Sequence, residues 1–112
     1  MQLELRVRNT DLAGALQRYI EQRLSFELGR YGDRVGRVVV KVSGLNGSRG
    51  GIKKSCRISA ELKPFGRVAV QETDVDLYAT VDRAAGRLGR LFGQRVNRAQ
   101  ELRLETQTAL AV

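Results

Sequence analysis

Arg83, Arg87, Arg90 and Arg98 are the residues whose type and spacing carry chemistry most clearly in this chain. At about 100° per residue, their spacing returns them to one side of a helix, so the four guanidinium groups form a stripe with Gln94 beside it. Between Asp82 and Arg98 there is no acid. A guanidinium presents its donors in a planar fork that suits bidentate contact with phosphate and stacking on bases. The chemistry on offer is therefore polyanion binding. A second basic group, Arg49, Lys53 and Lys54, lies in the glycine-rich stretch SGLNGSRGGIKK at 43–54. A nucleotide-binding P-loop would need G-x-x-x-x-G-K-[ST] between a strand and a helix, and this stretch has neither that spacing nor a following helix. It reads in two ways: as a flexible connector, or as a basic finger whose amides and side chains touch phosphates.

Bond-making chemistry has few residues to use. The chain has no histidine and one cysteine, Cys56, which removes an internal disulfide, the usual zinc sites and histidine acid–base catalysis. The paired acids Asp74 and Asp76 read as the start of a helix. Cys56 alternates with Ile58 and Ala60 and reads as a small core residue, with a reactive thiol as the other reading. We expect no enzyme, no cofactor, no metal and no small-molecule substrate.

The elements that position these side chains follow from periodicity. Leu77, Val81, Ala84, Ala85, Leu88, Leu91 and Phe92 fit one face of a helix within 74–98. Asp74 is its expected N-cap, with Asp76 in the first turn near the positive end of the helix dipole. Gly86, Gly89 and Gly93 gather beside the arginine stripe. Each glycine costs about 1 kcal/mol relative to Ala in a helix interior, so their flat strip should serve a close approach, by another helix or by nucleic acid. Gly93 is expected to end the helix, because Arg95 would otherwise point back into the apolar stripe.

Earlier in the chain, Leu3, Leu5 and Val7 alternate with polar residues over 2–8, the pattern of a strand with one buried face. Asn9, Thr10 or Asp11 then caps a helix reaching about Leu28, with Leu12, Leu16, Tyr19, Ile20 and Leu24 as its stripe. Arg18 lies opposite that stripe. Arg23 lies at its border, stem buried and charge in solvent. Gly29 and Gly32 make a connector, Val35–Val42 a second strand, and Cys56, Ile58, Ala60 and Leu62 one face of a third. Pro64, Phe65 and Gly66 form a tight turn into a fourth strand through Val68 and Val70. The expected fold is α+β, ordered β-α-β-β-β-α, a four-stranded sheet with two helices packed on one face and the other face wet.

Composition agrees with that size and purpose. A chain of 112 residues, 42% hydrophobic, fits one domain with one modest core. We place that domain at residues 1–98, followed by a tail at 99–112 that is helical at best and loosely ordered or weakly docked. The formal charge is +8, and only Lys41, Lys53, Lys54 and Lys63 among the twenty basic residues are lysine. Nothing resembles a signal peptide and no apolar run approaches the roughly 20 residues that span a bilayer. A cytoplasmic protein with no membrane partner is expected.

Three segments carry a resemblance. DVDLYATVDRAAGRLGRL at 74–91, RYGDRV at 30–35 and NGSRGGIKKSC at 46–56 resemble the ribosome hibernation-promoting factor and ribosome-associated inhibitor A family, the last matching a subgroup of it. The similarity runs from about Met1 to Arg98. It implies the β-α-β-β-β-α fold and binding to the small ribosomal subunit, and to whole ribosomes, in the cleft between head and body. There, members overlap messenger and transfer RNA positions and hold idle ribosomes inactive. It also implies that basic side chains on both helices contact ribosomal RNA, which by position are Arg83, Arg87 and Arg90 with Arg18, Arg23 and Arg30. Long members carry a second, C-terminal domain that pairs ribosomes. The chain is expected to be a short form, monomeric when free.

The mechanism so read is occupancy, with shape selecting a structured RNA cleft and arginines supplying salt-dependent affinity. Aromatic stacking is not expected to be the main device, since there are six aromatic residues and Phe92 lies on the apolar stripe. The rival readings are a general RNA or DNA binding module, and a regulator that binds protein through the Gly86 and Gly89 strip.

Overall fold

The computed structural model describes residues 1–8, 14–46 and 52–111, and at 45, 46, 52 and 107–111 the backbone only. The expected cap of the first helix, its Leu12 and the loop residue Arg49 lie outside the described residues. In chain order the elements are β1 (Gln2–Arg8), α1 (Gly14–Leu28), a 3-10 segment (Gly29–Arg34), β2 (Val35–Asn46), β3 (Ile52–Leu62), β4 (Gly66–Asp74) and α2 (Leu77–Ala111). The strands lie in the order β1-β2-β3-β4, with β1 parallel to β2 and the other pairs antiparallel. A parallel pair needs a crossover, and α1 with the 3-10 segment supplies it. The fold is the expected α+β arrangement.

Alternation places the core. Val38, Val40, Val42, Cys56, Ile58, Ala60, Leu62, Val68 and Val70 are all buried. The register sets Leu5 opposite Val40, Val40 opposite Ile58 and Ile58 opposite Val70, so an apolar row crosses the sheet. α2 lies over β3 and β4, and α1 packs beside α2. Leu16, Ile20, Leu24 and Leu28 of α1 join Val81, Ala84, Ala85, Leu88 and Phe92 of α2 in this single cluster. Burying a side chain of that size stabilises by about 1.5–3 kcal/mol, so the two stripes fix the helices on the sheet. Cys56 is a core residue, and burial pushes its thiol up to about 12.

Three local expectations and the bounds of the second and third strands are corrected. The helix does not end at Gly93 but continues to Ala111. Arg95 does not re-enter the core, because the β3–β4 turn lies beneath it and the Phe65 carbonyl accepts its Nη1 at 3.1 Å. The cap is Asp76 rather than Asp74: its carboxylate accepts the Tyr78 N–H at 2.9 Å, while Asp74 still belongs to β4. Finally, 43–54 is mostly paired, with Gly44 opposite Lys54, Leu45 opposite Lys53 and Asn46 opposite Ile52. The β2–β3 ribbon thus runs on where β1 and β4 have ended.

Candidate nucleic-acid interface

The junction of β4 and α2 sets the first arginine. The Asp74 carboxylate accepts the N–H groups of Val75 at 2.6 Å and Asp76 at 3.3 Å, and binds the Arg83 guanidinium. Arg83, helped by those amides, holds the Asp74 carboxyl below its usual range. Arg83 also reaches the Thr73 carbonyl at 3.3 Å. One turn on, Arg87 meets Glu72 of β4 at 3.4 Å. Both guanidinium groups remain about half exposed, at 50% and 51%, and exposed pairs of this kind contribute about 0–1 kcal/mol. A phosphate can therefore compete for them. Arg90 and Arg98 continue the face, exposed and without an acidic partner among the described residues.

The glycine strip has an occupant. A β-carbon at Gly89 would collide with the Glu27 carboxylate, and one at Gly93 would stand 3.2 Å from Arg30 Nη2 and 3.6 Å from the Tyr31 hydroxyl. At Gly86 the nearest α1 atom would be Arg23 Nη2 at 3.9 Å. Side chains of α1 and of the 3-10 segment therefore lie along α2 where side chains are missing. The tips of Glu27 and Arg30 thus occupy space that side chains at Gly89 and Gly93 would enter, while α2 passes through Gly93 without ending.

Arg23 has a different role from the exposed arginines. Its guanidinium lies 3.0 Å from Asp82 and 3.0 Å from Glu27, reaches the Asp82 carbonyl at 3.3 Å, and is only 23% exposed. Asp82 also accepts the Tyr19 hydroxyl, which raises the phenol above its ordinary range, and Tyr19 stands edge-on to Tyr78 at 4.9 Å. This network ties α1 to the start of α2. Its members are a clasp between the helices that also presents them at a fixed spacing.

The remaining candidates separate by position. Arg30 is exposed, with its Cζ 4.9 Å from the centre of the Tyr31 ring, and shares a groove between α1 and α2 with Arg90. Arg18 is exposed on α1. Lys53 stands exposed on the projecting ribbon, and half-buried Lys54 stands at its base, opposite Asp74 of β4. Of the α2 arginines Arg90 shares the groove with Arg30, Arg83 and Arg87 turn toward β4, and the β3 lysines form a separate group. Sequence reasoning placed Gln94 beside the arginine stripe but passed over Phe26 and Asn97, which line the same groove. Phe26 had a signal: a large apolar residue off the α1 stripe, between Arg23 and Arg30.

The family model described as Sigma 54 modulation protein / S30EA ribosomal protein matches residues 3–99. The Thermus thermophilus Protein Y N-terminal domain superposes with a TM-score of 0.68 at 31% identity, over 84% of this chain and 98% of that one. A ribosomal subunit interface protein from Coxiella burnetii gives 0.68 at 21% identity, over 84% and 96%, and bears on the fold alone. No curated protein matches the chain. The match spans every strand and both helices up to the end of the arginine face, and the chain belongs to the Sigma 54 modulation protein / S30EA ribosomal protein family.

Proposed function

We propose that the protein silences ribosomes by occupying the cleft between head and body of the small subunit, where messenger and transfer RNA otherwise lie. The observation that carries this reading is the helical face. Arg90 and Arg98 are exposed without acidic partners among the described residues, on the stripe of α2 that also carries Arg83 and Arg87, whose single acids a phosphate can displace, and Arg18 is likewise exposed on α1. Family membership supplies the ribosome, and the face supplies a means of holding its RNA. Each phosphate neutralised releases counterions, so affinity falls steeply with salt. The two-helix surface and the projecting β2–β3 ribbon select a shaped RNA site over a regular duplex. The proposed contacts are Arg18, Arg30, Arg83, Arg87, Arg90 and Arg98, with Lys53 and Lys54 of β3 and Arg49, while Arg23 acts through the clasp. The free protein is a monomer that needs no cofactor and performs no chemistry.

Occupancy makes a direct demand. Small subunits preloaded with the protein should lose transfer RNA and messenger binding in proportion to the protein bound, as read by filter retention of labelled RNA. Unchanged transfer RNA and messenger occupancy on saturated subunits would contradict the proposal.

A further inference from the structure

Phe26 is 80% exposed on α1, while Leu16, Ile20, Leu24 and Leu28 of the same helix are buried. It stands at the rim of a groove of about 500 Å³ between α1 and α2, in the size range of pockets that hold small ligands. Gly89 and Gly93 keep side chains of α2 out of that groove. Arg23, immobilised by Asp82 and Glu27, sits over the Phe26 ring with its Cζ 5.8 Å from the centre. Glu27, the acid on the wall, is tied to Arg23 at 3.0 Å. Arg30, Arg90, Gln94 and Asn97 complete the walls.

We infer that this groove takes one unpaired nucleotide of RNA, its base stacked on the outer face of Phe26. Every base has a π-face, and aromatic side chains are the usual platform for unstacked bases in loops and bulges. The Gln94 and Asn97 amides each offer donors and an acceptor to a base edge. Arg30 and Arg90 stand where the flanking phosphates of an extruded nucleotide would run, and the Tyr31 ring sets the plane of the Arg30 guanidinium. A duplex offers no free base face, so it would meet the arginines but leave Phe26 bare. The inference rests on the proposed ribosomal function for its natural RNA, and adds a site of a different chemical kind to the arginine face.

The test uses the absence of tryptophan from the chain. Phe26→Trp places a single fluorophore in the groove without disturbing buried structure. Its emission should be quenched by isolated small subunits and by short single-stranded RNA, but not by duplex RNA of the same sequence. Phe26→Ala, checked for an unchanged melting profile, should weaken subunit binding roughly tenfold or more, the loss expected of one stacked base. Unquenched emission from F26W on subunits that retain the protein, or wild-type subunit affinity of F26A, would overturn the inference and leave the ribosomal reading standing. If subunits fail to bind even the wild type, that reading falls, whereas quenching by single-stranded RNA alone would still uphold the groove.

Discussion

The helical face and the open face of the sheet are both basic, yet they are built for different work. On the open face Arg6 lies opposite Lys41 and Lys41 opposite Arg57, so one cationic row crosses three strands. Together with Arg37 and Arg67 these residues rim a shallow hollow of about 210 Å³ over Val39 and Ser59. Glu4 binds both Arg6 and Arg37, which lowers its own carboxyl below the usual range. Like charges directly opposite in a sheet are destabilising, and the shallow hollow they rim has no aromatic or amide side chain in its lining. The helical face instead sets Arg30 and Arg90 at a cleft with an aromatic rim and amide walls, and Arg83 and Arg87 along the β4 side of α2. A flat field of charge attracts any polyanion, while a groove distinguishes one RNA shape from another.

Charge reversal should separate the two most sharply. R83E/R87E/R90E should abolish stoichiometric small-subunit binding and reduce the salt slope of any residual binding by roughly 2 to 3, while the fold survives because these side chains are surface groups. Unimpaired co-sedimentation of the folded triple mutant would reassign the contact face. K41E on the sheet should do the reverse. By placing an acid between Arg6 and Arg57 it should raise stability by about 0.2–1 kcal/mol, slow association with subunits, and leave dissociation near wild type. A faster dissociation rate for K41E would move the open face into the contact surface.

The clasp sharpens the distinction within the helical face. R23A should lower stability by about 1 kcal/mol, a modest figure because Asp82 is nearly half exposed, equivalent to a melting shift of roughly 4–8 °C in a domain of this size. R98A should leave melting unchanged and weaken subunit binding. If instead R23A loses binding with no melting shift, Arg23 is an RNA contact and the clasp is incidental. The smallest expected effect is at Cys56. Its folded pKa near 12 lies above the ordinary thiol value of about 8.5, so its contribution to stability is complete below that value and is lost as pH rises toward 12. Thiol-reactive dye at pH 8 should label the native protein far more slowly than the unfolded chain, and equal rates would place Cys56 outside the core.

How much of this was legible depended on whether the determining contact was local. β1 and the apolar stripes of both helices were readable because their period records which face is buried. The outcome at Gly93 was not, since the local propensity of glycine points to a helix end and only Arg30 and Tyr31, from distant sequence, show what its missing side chain admits. Asp74 and Asp76 both have the chemistry of a cap, and the length of β4 decides between them. Arg23 was readable as a border residue of the α1 stripe, but its charge is not left to solvent, because Asp82, on the other helix, lies within 3.0 Å. Phe26 was visible as an exception to the α1 stripe, but its groove exists only once the two helices pack.

The central claim is that an arginine-lined helical face recognises the small ribosomal subunit rather than RNA in general. Co-sedimentation of the purified protein with separated subunits and whole ribosomes through a sucrose gradient, with excess duplex RNA as competitor, tests it most directly. The account predicts stoichiometric migration with the small subunit and with whole ribosomes that duplex does not displace. Loss of the protein to any duplex, or migration with neither particle, would contradict it.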